Sequence, residues 1–461
     1  MKNPPTPASP LLQPLQLRLS ELISALSYAL DITEGQPEGH CVRCCWIGMH
    51  IGRQIGLSDD DLWDLYYTLL LKDLGCSSNA ARICELYLTD DLSFKRDFKT
   101  VGSSLPQVLS FVLGHTGLKA PLAERFRSVL NIFSKGDEIA QELISTRCQR
   151  GAEIARKLRF PERVAEGIYS LDEHFNGQGR PQQLAGEAIP LFSRIALLAQ
   201  VIDVFHTAGG VAAAQAEVRE RSGSWFDPAI TEAFEQVAAV AGFWETLASP
   251  AVTDAILALE PASHVVPLDD DYLDDIAAAF GQVVDSKSPY TSGHSQRVAL
   301  YTDLIAEDLG LSPERRRWLK RGALLHDVGK LGVSNSVLDK PGKLDADEWA
   351  AVQAHAAYTE TILGRIDAFA ELAKVAAAHH ERLDGKGYPK GLSGDEICLE
   401  TRIITTADIF DAITAERPYR GAVPVPKTLE IMAENVGTAI DPTCFAALKA
   451  AIERLPAQFC R

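Results

Sequence analysis

Residues 293–334 read GHSQRVALYTDLIAEDLGLSPERRRWLKRGALLHDVGKLGVS, and residues 39–80 read GHCVRCCWIGMHIGRQIGLSDDDLWDLYYTLLLKDLGCSSNA. The two stretches align without a gap at an offset of 254, so that His40 faces His294 and Asp73 faces Asp327. Further on, the NGQGRP of 176–181 faces the DGKGYP of 384–389 at an offset of 208, and Asp203 faces Asp411. Self-similarity over this length marks a duplicated folding unit, so one fold should be built twice. The two offsets differ by 46, which gives the first copy about 46 extra residues, expected near 86–131.

Both copies read as helical. In the second, apolar residues recur at helix spacing over 298–309, 349–363, 370–378 and 403–413. Asp345 followed by Glu348 is a capping-box signature for the helix that carries His355. Gly and Pro clusters at 340–343 and 384–394 are loops, and strand-like alternation is scarce. The expected architecture is all-α, with two related helical domains in tandem. They run over 17–247 and 269–461, behind a Pro-rich flexible tail at 1–16. The stretch 248–268, with three prolines, reads as the linker between them.

The second copy also carries His294, His326-Asp327, His355, His379-His380 and Asp408, five of the chain's eleven histidines with two aspartates. Imidazole and carboxylate are ligands that first-row divalent metals accept. Seven of them suffice for two metals sharing a bridging Asp, a pair that can activate water and clamp an in-line displacement at phosphorus. Taken singly, a helical His is more often structural and an Asp beside it a cap; the ordered series carries the reading. His326-Asp327 should close a helix, where neighbouring side chains can serve one site, and Lys330 would then point at a bound phosphate. Asp411, one turn after Asp408, should orient a ligand or an Arg from behind. In the first copy His40 and Asp73 persist. The other positions have become Lys72, Arg147, Leu171, Asp172 and Gln200. Two cations and an apolar residue do not make a metal site, so the first copy should be a structural or regulatory half without the chemistry.

The formal net charge of −17 argues against long nucleic acid, which needs a basic face. Apolar residues at 46% and charged residues at 23% are ordinary for a globular protein, and no unbroken apolar run suggests a membrane span. The nine cysteines are scattered, without the density of a disulfide scaffold, which fits thiols in a reducing cytoplasm.

These residues resemble the HD-GYP family of HD phosphohydrolases. The matching strings are HSQRV from His294, LLHDVGKLGVSNSVLDKPGKL from Leu324, AHHERLDGKGYPKGLSGDEI from Ala378 and ADIFDAITAERPYR from Ala407, with the later Asp441-Pro442. The first half resembles the degenerate HD-like domain that precedes the catalytic domain in some members. The resemblance implies hydrolysis of a cyclic dinucleotide, cyclic di-GMP first, with 3′3′-cyclic GMP-AMP as the alternative. A slow-turnover nucleotide or redox sensor is a third reading.

The resemblance further implies a centre of iron or manganese held by His294, His326, Asp327, His355, His379, His380 and Asp408, and a substrate-phosphate contact at Lys330. Catalysis falls to Asp327 and Lys330, with Arg297 and Arg417 as candidate partners for the developing charge. Gly387, Tyr388 and Pro389 match the namesake motif, linked to partner binding and loop structure. Three-metal members carry a Glu four residues before the first ligand His; Tyr290 stands there, so two metals are expected. The expected protein partner is a second copy or a signalling protein, met through the first half or the Gly-Tyr-Pro loop.

Overall fold

The computed structural model describes residues 17–102, 105–118, 120–262, 264, 266–416 and 420–454; the tail at 1–16 and Arg417 lie outside them. Among the described residues the chain is all helix and loop, with isolated β-bridges and no strand. The duplication is visible element by element. The helices His40–Gln54 and His294–Asp308 are separated by 254 residues, as are Asp59–Leu71 and Pro313–Leu325. Gly39 and Gly293 precede the first pair with φ of 81° and 70°, a left-handed conformation that glycine alone adopts without steric cost. Ser58 and Ser312 cap the second pair, each accepting from a backbone N–H three residues on. After the shift in offset, Glu162–Tyr169 matches Ala370–Ala377, and Leu191–Arg221 begins where Leu399–Thr414 has its counterpart.

The halves pack reciprocally. Leu19–Thr33 of the first lies against Val328–Gly332 and Ala346–Leu363 of the second; Asp270–Asp285 of the second lies against Cys76–Asn79 and Leu122–Lys157 of the first. The equivalent segments Ala80–Tyr87 and Asn335–Leu338 meet between them. This is the pattern of an isologous interface, made here within one chain. A continuous apolar core runs from Leu22 and Leu26 through Leu69 and Ile202 to Phe280, Leu325 and Ile404.

The stretch read as a linker is docked rather than free. Residues 248–268 contain the helix Val252–Leu257, whose Val252 and Ile256 are buried four residues apart. Glu260 then accepts from Ser20 Oγ (2.6 Å) and Tyr67 Oη (2.5 Å). Its prolines bound a short helix instead of loosening the chain. The extra residues of the first half form Asp91–Phe98, Leu105–His115 and the beginning of Leu122–Lys157, around a small core of Ile83, Phe94 and Phe111. Leu191–Arg221 is long and apolar enough to cross a membrane by length and composition, yet Ile195, Leu198 and Ile202 on it are core residues of the helical bundle.

Candidate metal centre

Three helix ends and two helix faces converge in the second half. His294 opens its helix; His326 and Asp327 follow the last turn of Pro313–Leu325. His379 and His380 follow Ala370–Ala377, His355 faces inward from Ala346–Leu363, and Asp408 from Leu399–Thr414. A helix end frees two adjacent side chains to serve one centre, because mid-helix neighbours diverge by about 100°.

Asp327 stands in the middle with its two oxygens facing different ligands. Oδ2 is 3.4 Å from His294 Nε2 and 3.3 Å from His326 Nε2, while Asp408 Oδ1 lies 3.4 Å from that same His294 nitrogen. Oδ1 is 3.5 Å from His355 Nε2 and 3.6 Å from His379 Nε2, and His380 falls in the same ligand cluster. The carboxylate therefore divides the seven expected ligands into two sets and belongs to both. His294 Nε2, His326 Nε2 and Asp327 Oδ1 are buried with no hydrogen-bond partner. Buried polar atoms of this kind are costly unless satisfied, so the donor set fits divalent ions.

The opposite ring nitrogens explain why Nε2 points inward. His326, His355 and His379 each donate Nδ1–H to the backbone carbonyl three residues earlier, at Ala323, Val352 and Ala376. His294 Nδ1 instead meets Asp411 Oδ2 at 2.7 Å. Such partners fix ring orientation and ligand tautomer. Burial pushes the His355 imidazole down to about 3, and burial with two neighbouring histidines holds His380 well below the usual imidazole range. Burial also opposes charge on His294, yet the Asp327, Asp411 and Asp408 carboxylates raise it to about 9. Against burial, His326 and Lys330 hold Asp327 well below the usual carboxylate range.

Lys330 Nζ lies 2.5 Å from Asp327 Oδ2 at the edge of a 440 Å³ cavity that His355, His380, Asp408 and Tyr388 also line. Arg297 is not turned toward this cavity. Its Nε donates to Asp411 Oδ1 (2.6 Å), Nη2 to Asp411 Oδ2 (3.1 Å) and Nη1 to the Ser292 carbonyl (2.9 Å). It therefore braces the carboxylate that orients His294, a correction to its expected place beside the substrate. Tyr388 packs on His380 with ring centroids 4.8 Å apart. A Cβ at Gly387 would sit 2.4 Å from Arg382 N, so only glycine allows the loop to fold back there. Pro389 follows a cis peptide and lines a separate small cavity.

Three cavity residues escaped the sequence reading. Trp349, 47% exposed, was counted only as an apolar residue of its helix. Lys340 was counted as loop. Arg420 closes the matching string, where no role marked it, and donates to the Ala412 and Ile413 carbonyls.

The first half repeats the frame with other contents. His40 Nδ1 meets Asp203 Oδ2 at 2.7 Å, and Arg43 braces Asp203 as Arg297 braces Asp411. Where His326 would stand, Lys72 places Nζ 3.0 Å from His40 Nε2 and pairs with Asp73. Arg147 pairs with Asp172, and Lys99 from the insertion reaches Glu34 at 2.8 Å. Lys72 and Arg147 thus stand at the positions that carry His326 and His355 in the second half.

A profile of the HD domain matches residues 127–230 and 279–444, one segment in each half. The chain belongs to the HD-domain family. Its second half is of the HD-GYP type, as the motifs implied. Over 441 residues the chain is 61% identical to the 3′3′-cGAMP-specific phosphodiesterase 3 of Vibrio cholerae, covering 96% of each protein. It is 41% identical over 174 residues to the cyclic di-GMP phosphodiesterase response regulator RpfG of Xanthomonas campestris, covering 37% of this chain and 46% of that one. A crystal structure of a V. cholerae cyclic GMP-AMP-specific phosphodiesterase (V-cGAP3) superposes with a TM-score of 0.65 at 55% identity, covering 95% and 99% of the two chains.

Proposed function

We propose that this HD-domain protein is a metal-dependent phosphodiesterase that opens 3′3′-cyclic GMP-AMP to the linear dinucleotide. The observation that carries the reading is the 61% identity, over 96% of both chains, to a relative named for that activity. The motifs alone put cyclic di-GMP first. Relatives named for either substrate match over about a third of the chain at similar identity, 42% and 46% for two named for cyclic GMP-AMP and 41% for one named for cyclic di-GMP, whereas the relative matched over 96% of both chains is named for cyclic GMP-AMP, which reverses that order.

Two divalent ions, iron or manganese, would supply Lewis-acid charge and an activated water here. His294, His326 and Asp408 would hold one, and His355, His379 and His380 the other, with Asp327 giving an oxygen to each. Two rather than three is supported by Tyr290, whose phenol lines the cavity where a carboxylate would be needed. Lys330, paired with Asp327 at the cavity edge, would meet the phosphate and offset its developing charge. Trp349 and Tyr388, with ring centroids 6.2 Å apart, give the cavity aromatic walls for a purine. The eight described cysteines are free, which supports a reducing, cytoplasmic setting.

The deciding experiment is product analysis with purified iron- or manganese-loaded protein, offered each cyclic dinucleotide separately, with Asp327→Ala as control. Consumption of 3′3′-cyclic GMP-AMP, lost in the variant, is expected. Preference for cyclic di-GMP would move the assignment to that substrate. Turnover of neither, with two metals bound per chain, would favour a sensor.

A further inference from the structure

Asp91 opens the insertion helix Asp91–Phe98 and is fully buried, and apart from a 3.6 Å contact from the Cys84 thiol its side-chain hydrogen bonds leave its own half of the molecule. Oδ1 accepts from Asn335 N at 2.8 Å and from Ser334 Oγ at 2.9 Å, residues 244 and 243 positions away. Oδ2 faces Lys287 Nζ at 3.4 Å. Its cation within the first half, Lys95, is more distant at 4.0 Å.

The three groups that Asp91 holds belong to two separate walls of the substrate cavity. Ser334 and Asn335 begin the segment whose Val337, Leu338 and Asp339 line one side; Lys287 begins the turn whose Ser288 and Tyr290 line the other. The walls are tied together behind the cavity. Asn335 Nδ2 donates to the Lys287 carbonyl and to Asp339 Oδ2, each at 2.7 Å, and Ser288 Oγ donates to Asp339 Oδ1 at 2.5 Å. The four-residue helix Asn335–Leu338 is too short to be stable by itself, so its position depends on such anchors.

We propose that Asp91 is a positioning residue for the substrate pocket of the second half, so that the insertion in the degenerate half sets the shape of the cavity in the half that keeps the seven ligand residues. One carboxylate holds both walls at a fixed separation from Lys330 and the metal ligands. The first half then has a defined part in the reaction, without touching substrate. The choice of kinetic substrate rests on the function proposed above; the inference about the walls does not.

The test uses full-length, metal-loaded Asp91→Ala, Asp91→Asn and Ser334→Ala. KM and kcat for 3′3′-cyclic GMP-AMP are read together with metal content and hydrogen exchange over 283–292 and 333–340. Asp91→Ala should raise KM about tenfold or more, the loss expected when charge-assisted bonds to a binding wall are removed. Metal content should stay unchanged, kcat should change less than KM, and both segments should exchange faster. Asp91→Asn keeps an acceptor for Asn335 and should fall between it and the wild type. If Asp91→Ala fails to fold, Asp91→Asn and Ser334→Ala carry the test through the same readouts. Unchanged KM in variants of lowered Tm, or undisturbed exchange in both segments, would overturn the proposal and leave Asp91 a stability residue. Should the wild type turn over neither cyclic dinucleotide, the proposed function fails, and the exchange data alone decide the role of Asp91.

Discussion

Asp411 shows how much one residue can do without touching a ligand site directly. Its Oδ2 fixes His294 Nδ1, and both oxygens are held by Arg297. Replacing Asp411 by Asn keeps the shape but weakens the hold on the imidazole. We expect metal affinity to fall about 10–100-fold, with activity recovering when metal is supplied in excess, as read by metal titration against turnover. Its bracing role was legible from the three-residue spacing to Asp408, because residues one turn apart share a face. The role of Arg297 was not legible. An Arg beside a catalytic His reads equally as a substrate clamp or an ion pair, and only the tertiary approach of Leu399–Thr414 decides. Trp349 was missed for a related reason, since an apolar residue at helix spacing looks like core until its exposure is known.

Among the elements, the pair His40–Gln54 and His294–Asp308 shares one frame and differs in electrostatics. His294 faces carboxylates, whereas His40 faces the Lys72 ammonium. Burial first, and then Lys72, push the His40 imidazole down to about 4. A histidine lowered in this way stays neutral in the folded chain while the unfolded chain takes up a proton near pH 6.5. Its stability contribution is complete above that pH and is lost as pH falls toward 4. Metal-free protein should therefore lose Tm between pH 7 and 5, and His40→Asn should flatten that dependence. Asp31, raised by burial to about 6, works in the opposite direction, so the difference between wild type and variant is the quantity to measure. Helix existence and pairing could be read from the two offsets. The 248–268 segment could not, because three prolines punctuate it and the short Val252–Leu257 helix offers only one buried i, i+4 pair.

At the scale of the molecule, the duplication was plain in the sequence but the way the copies meet was not. Nothing in the residues said that Leu19–Thr33 would back Val328–Gly332, or that the reverse contact would repeat it. With one core continuous across both halves, heating should give a single cooperative transition rather than two. Metal bound in the second half should stabilise the folded chain by mass action, by about 2.7 kcal/mol per site at a hundredfold excess over Kd, and so raise that single Tm. Calorimetry with and without chelator checks both points; two separated peaks would contradict the shared core.

Because the two related surfaces belong to one chain, they are free to diverge. In a pair of identical subunits every change at the contact is made twice, and each new side chain must suit its own image. Here a change is made once. Asp91 could meet Asn335 and Lys287 from an insertion that the second copy lacks. Fusion of the copies thus relieved the contact of self-complementarity, and one copy could specialise in support while the other kept its ligands.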